Sequence, residues 1–130
     1  MAQHREPVTA VGAPAAAGPY AHAIRAGGLL FCSGQIPLDP ESGELVGGAH
    51  AEQTVRCLEN LGAVCAAAGA ELRDAVRLTV YVTDPDAFEA VNRAYAGFFP
   101  SDPPARTMVG VNWLPRGARV GIDAVVALPA

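Results

Sequence analysis

Val76, Leu78, Val80 and Val82 alternate with Arg77, Thr79 and Tyr81. A period of two over residues 75–82 predicts a strand with one strongly apolar face. Val120, Ile122, Ala124 and Val126 repeat the pattern over 119–127, and Val109 and Val111 carry it through 106–111. Shorter strands are predicted at 8–10, 23–25 and 29–33, the last two joined by a Gly27-Gly28 turn. The period changes to helical between 51 and 68, where Val55, Leu58, Leu61, Cys65 and Ala68 form one stripe. Glu52 and Arg56 sit at helical i,i+4 spacing, and Gly69 supplies a stop. Asp84-Pro85 reads as a cap followed by proline in the first turn of a second helix. Phe88, Val91, Tyr95 and Phe98 would be its apolar face, and Pro100 its end. Residues 37–48 are dense in turn formers and read as a surface loop. The order β-β-β-α-β-α-β-β predicts an α+β fold, a mixed sheet with two helices on one face. The second sheet face also carries apolar residues, which on a chain this small points to a partner subunit.

A length of 130 residues indicates one domain over 1–130, with 1–13 expected to be a partly flexible N-terminal segment. Apolar residues at 51% are ample for a core, and no apolar run approaches the roughly 18 residues of a membrane span. The first six residues contain no apolar stretch of a secretory signal, so the expected location is cytoplasmic, away from membranes.

The net charge of -4 gives no basic field for phosphates, which disfavours nucleic acid as a partner. All nine basic residues are arginines, so no lysine is present to form a Schiff base, act as a general base or bind phosphate. Cys32, Cys57 and Cys65 lack paired spacing and read as small core residues. No Cys/His cluster has the spacing of metal ligands, so no metal is expected.

Arg106 follows Pro103-Pro104-Ala105 at the head of an otherwise apolar strand. A guanidinium on a half-buried sheet surface needs an anion to offset its desolvation, and its planar fork fits a carboxylate. That anion is either a protein acid, with Asp123 the nearest strand candidate, or a small acidic ligand.

Three segments stand with it: Gly18-Pro19-Tyr20-Ala21-His22-Ala23, Phe31-Cys32-Ser33-Gly34-Gln35-Ile36-Pro37 and Pro104-Ala105-Arg106, with Val91-Asn92-Arg93-Ala94-Tyr95-Ala96-Gly97-Phe98-Phe99 before the last. Together, in order from about Pro14 to Val126, they resemble the RidA/YjgF family of reactive-intermediate deaminases. The resemblance implies a chorismate-mutase-like fold and a homotrimer whose sheets form a central barrel, with active sites in the clefts between subunits. It also implies hydrolysis of enamines and imines such as 2-aminoacrylate to 2-oxo acids and ammonia, without metal or organic cofactor. By position, Arg106 would grip the substrate carboxylate, Tyr20 and Ser33 would line the pocket, and Gly34 would admit the ligand close to the backbone. Met108 would offer its backbone N–H from a position often occupied by cysteine.

One position departs from the family pattern. The best-known deaminases carry a water-orienting glutamate fifteen residues after the arginine, and here that position is Gly121. Asp123, Tyr20 or His22 would have to take over, with Asp123 two residues further along the strand. His22 is also a candidate substrate contact, near neutral pH able to act as acid or base. Loss of the side chain at 121 suggests a wider pocket. It keeps open a different reaction on a larger carboxylated intermediate of a specialised pathway, or a non-enzymatic binding role. Trp113 is expected either to cap the pocket or to lie in a subunit contact, and Asn92 to tie down a neighbouring loop.

Overall fold

The computed structural model describes residues 4–130. Six strands form one mixed sheet: β1 (Glu6–Val8), β2 (Ala23–Ala26), β3 (Leu29–Gln35), β4 (Ala75–Val82), β5 (Ala105–Gly110) and β6 (Val120–Ala127). Their order is β1-β2-β3-β6-β4-β5. All neighbours are antiparallel except β4 and β5, whose parallel pairing requires the crossover that contains the second helix. The helices α1 (His50–Ala67) and α2 (Phe88–Ala96) pack together on one face, as the pattern predicts.

The core lies between α1 and that face. Leu30 and Cys32 of β3, Leu78, Val80 and Val82 of β4, and Val120, Ile122, Ala124 and Val126 of β6 meet Cys57, Leu58, Leu61, Val64 and Cys65 of α1. All three cysteines are buried, and α1 ends at Gly69 with φ +80°, where the Ala70 N–H bonds back to Cys65 O at 2.9 Å.

Several local expectations change. Val76 is 48% exposed, because a bulge between Ala75 and Arg77 inserts an extra residue opposite β6 and turns Val76 off the core face. Phe88 is equally exposed, at the very start of α2, before its apolar face meets the sheet. Glu52 does not pair with Arg56. Its Oε1 accepts the Ala49 N–H, while Arg56 turns to Glu59 and Asn60. The first strand is Glu6–Val8 rather than 8–10. From Glu6 on, β1 pairs with β2, and Ala10 and Ala13 are buried. Residues 1–3 of that segment lie outside the described residues.

No helix among the described residues is long and apolar enough to cross a membrane. The sheet face away from the helices is open. It exposes Phe31 and Val109, with Thr79, Tyr81 and Asp123 between them.

Candidate functional site

Arg106 lies on the edge strand β5, in register with Leu78 of β4. Residues paired across a sheet share a face, so Arg106 points to the helix side, like the buried Leu78. There its Nη1 donates to Asn92 Oδ1 at 2.7 Å, and its guanidinium carbon sits 4.8 Å from the centre of the Tyr95 ring. Both partners belong to α2. The amide accepts one N–H and the ring face attracts the cation, while neither neutralises it. Among the described residues no carboxylate lies within ion-pairing distance of Arg106. Its fork opens on a cavity of about 330 Å³ lined by Asn92, Tyr95, Phe99, Pro103 and Pro104. The Tyr95 hydroxyl is buried there without a hydrogen-bond partner, and burial raises its pKa.

The Met108 N–H faces the same open edge. Val111 N–H bonds to Val82 O at 2.8 Å, and backbone groups alternate sides along a strand. Three residues back, Met108 therefore directs its N–H away from β4.

Tyr20, Ser33 and Gly34 gather elsewhere. They line a second cavity, of about 520 Å³, together with Ile36, Leu38 and Trp113. Ser33 Oγ donates to Ala21 O at 2.7 Å, and Tyr20 Oη accepts the Ala17 N–H at 3.3 Å. A Cβ on Gly34 would meet nothing within 4 Å, so the backbone there is open to a ligand. Asn60, fully buried on α1, fixes this wall by donating to Ile36 O and Leu38 O at 3.3 and 3.0 Å.

His22 leaves the set of substrate contacts. It is buried, its Nδ1 accepts the Ala10 N–H at 2.9 Å and its Nε2 donates to Pro14 O at 2.8 Å. That pattern needs the neutral ring and leaves neither nitrogen for a ligand. Asp123, the candidate to orient the water, pairs with Thr79 in register and so lies on the open face with Gly121, opposite to Arg106. Tyr81 Oη donates to its Oδ2 at 2.8 Å, and the anticipated ion pair with Arg106 is not formed.

Gly121 is buried, on the same face as Tyr81. A Cβ there would stand 3.5 Å from Leu114 Cδ2 and 3.7 Å from Gln35 O, beside the wall that carries Ser33 and Gly34. The space is already lined by Leu114, and Gly121 does not open onto the 520 Å³ cavity, so the expected widening is not seen.

Arg106 and the Tyr20–Ser33 wall are thus separate cavities of one chain. Cys32, Ala124, Leu78 and Arg106 form one row across β3, β6, β4 and β5. Three strand spacings of about 4.8 Å put roughly 14 Å between the two ends. Asn92 and Tyr95 are the site residues that sequence reasoning assigned no ligand role. Their helical spacing to one another was visible, but their contact with Arg106 is made only by packing α2 on β5.

Among the described residues, no group of three or more His, Cys, Asp or Glu side chains is placed to hold a metal ion.

Residues 11–128 match the family described as Endoribonuclease L-PSP. A RutC family protein of Sinorhizobium fredii is 47% identical over 123 residues, covering 95% of this chain and 98% of its own. A human protein named 2-iminobutanoate/2-iminopropanoate deaminase is 40% identical over 121 residues, covering 93% of this chain and 88% of its own. The crystal structure of RidA from an Antarctic Psychrobacter superposes with a TM-score of 0.91 at 35% identity, covering 95% of this chain and 99% of that one. With the family match spanning nearly its whole length, the chain belongs to the Endoribonuclease L-PSP family, that of RidA and YjgF.

Proposed function

We propose that this protein hydrolyses small imines and enamines that carry a carboxylate, such as 2-aminoacrylate and 2-iminopropanoate, to 2-oxo acids and ammonia. The observation that carries this reading is the Arg106 fork, held by an amide and a ring yet unpaired with any acid, at an open cavity. A substrate carboxylate completes it with two parallel charge-assisted hydrogen bonds. The name of the human relative, an imine deaminase, supports the same chemistry.

The active assembly is a homotrimer in which Arg106 of one subunit faces Tyr20, Ser33 and Gly34 of the next. Two features favour this arrangement. The half-sites are too far apart in one chain to hold one small molecule, and the open sheet face exposes Phe31, Val76 and Val109 to a partner.

In the cleft the clamp fixes the C=N carbon against a water. Protonation of an enamine at carbon gives the iminium, whose carbon is electrophilic. Water adds its oxygen to that carbon and its protons pass to solvent and nitrogen. The carbinolamine then expels ammonia and leaves the carbonyl. Glycine at 121 leaves that position without a carboxylate, and Asp123 is engaged by Tyr81. Tyr20 remains: its oxygen accepts the Ala17 N–H, and its own proton is left to donate to the water or the departing nitrogen. Catalysis rests mainly on orientation, which is worth orders of magnitude in a reaction that already proceeds slowly unaided.

The net charge of -4 and the absence of lysine speak against cleavage of RNA as the main activity, despite the family's description. The test generates imino acids with an amino-acid oxidase and follows semicarbazone or ammonia formation. Acceleration that Arg106→Ala lowers by about 100-fold or more supports the reading. No acceleration, or acceleration indifferent to Arg106, refutes it and leaves the alternatives: another reaction on a larger acid, or binding alone.

A further inference from the structure

The 520 Å³ cavity is larger than a methyl or methylene side chain requires, and its walls are mostly apolar: Ala15, Ala17, Ile36, Leu38, Pro115 and Trp113. Few polar side chains line it. The Ser33 proton goes to Ala21 O, Tyr20 Oη accepts the Ala17 N–H and keeps its own proton, and Arg116 donates to Gly43 O. At the mouth stands Trp113, 71% exposed, an indole whose face has no protein cover. Large aromatic surface left in water beside an apolar cavity is the feature a ligand would cover.

We infer that this cavity receives the side chain of the substrate and selects imines of bulky apolar amino acids, with Trp113 as the residue that sets the preference. The inference rests on the reading above and adds to it the class of substrate. Arg106 of the neighbouring subunit holds the carboxylate. The branched or aromatic side chain then runs along Ile36 and Leu38 and ends under the indole. Burying its surface from water supplies the selectivity, since each added methylene in an apolar pocket is worth roughly tenfold or more in kcat/KM.

The experiment compares imines made by an amino-acid oxidase from leucine, phenylalanine, alanine and glutamate, using the full chain, Trp113→Ala and Trp113→Phe. The expected result is a kcat/KM at least tenfold higher for the leucine and phenylalanine imines than for the alanine imine. Trp113→Ala narrows that ratio to about threefold or less, mainly through KM, and Trp113→Phe retains most of it. Equal rates for all imines overturn the inference, as does a Trp113→Ala loss that falls equally on every imine. A preference for the glutamate imine also overturns it, because it would assign the cavity to Arg116, which lines it with a single bond to Gly43 O. So does dissociation of the Trp113→Ala assembly in sedimentation, which would make the indole a subunit contact. If no imine is turned over, the hydrolysis reading fails by itself. Calorimetry with pyruvate and 4-methyl-2-oxopentanoate then decides the cavity's role: binding at least tenfold tighter for the branched acid upholds the preference, and equal binding refutes it.

Discussion

Asn92 and Arg106 stand 14 residues apart, on α2 and β5, and are joined by a hydrogen bond of 2.7 Å from Nη1 to Oδ1. The bond orients the guanidinium without neutralising it. An amide supplies an acceptor but no charge, so the cation keeps its attraction for an external carboxylate.

That distinction can be measured by changing the acceptor. Asn92→Asp replaces the amide with an anion at the same place and gives Arg106 an internal partner. The expected outcome is a KM for imino acids raised more by Asn92→Asp than by Asn92→Ala, with Asn92→Ala costing about tenfold, the worth of one hydrogen bond to a charged group. Melting temperatures should hardly move, because Asn92 is exposed and surface ion pairs contribute little. Steady-state kinetics beside thermal unfolding separates the two effects.

Arg106 was legible in the sequence because a charge interrupts an apolar strand. Asn92 was not, because nothing local marks a helix residue as the neighbour of a strand 14 residues on. The same divide runs through the fold. Residues 75–82 announced a strand by alternation, yet the bulge at Val76 follows from how β4 pairs with β6, which no window along β4 contains. His22 looked like a site residue through its nearness to Tyr20. Its ring is instead taken up by Ala10 and Pro14, 12 and 8 residues earlier.

The role of His22 is therefore structural, and truncation should show it. His22→Ala orphans the Ala10 N–H and the Pro14 carbonyl and leaves a gap in a buried site. Two such groups cost about 1–3 kcal/mol each. Urea unfolding should show a loss of about 2–6 kcal/mol, while the folded fraction keeps kcat/KM within a few-fold. A large loss of kcat in fully folded protein would return His22 to the chemistry.

Stability at high pH should decline, and the groups responsible can be named. Burial pushes the Cys57 thiol well above its ordinary 9.0, and the hydrogen bond to Asp123 raises the Tyr81 hydroxyl above 10.0. Both groups are neutral when protonated, and the folded state holds the proton to higher pH than the unfolded chain. Their contribution is thus fully present below about pH 9 and lost as pH climbs through the ordinary values toward the raised ones. Denaturation midpoints should be flat from pH 7 to 8.5 and fall above pH 9. Tyr81→Phe should lessen the part of that fall above pH 10, the remainder coming from Tyr95, whose hydroxyl burial also raises.

The glycine at 121 offers a test in the direction of gain. Its backbone φ is not left-handed, and a Cβ would meet Leu114 and the Gln35 carbonyl at ordinary contact distances of 3.5 and 3.7 Å. Gly121→Ala should therefore fold normally and serve as the control. Gly121→Glu places a carboxylate beside the Ser33–Gly34 wall, at the position from which the family resemblance implies water is oriented. A positioned general base contributes about 10²-fold or more where it is used. With the alanine imine we expect kcat to rise by about tenfold or more in Gly121→Glu, with a new ionisation on the acid side of the pH profile. The same carboxylate abuts the apolar cavity, so the leucine imine should gain less, through a higher KM. A Gly121→Glu protein that folds but gains nothing would mean that Leu114 and Tyr20 have reorganised the cleft around a different position for the water.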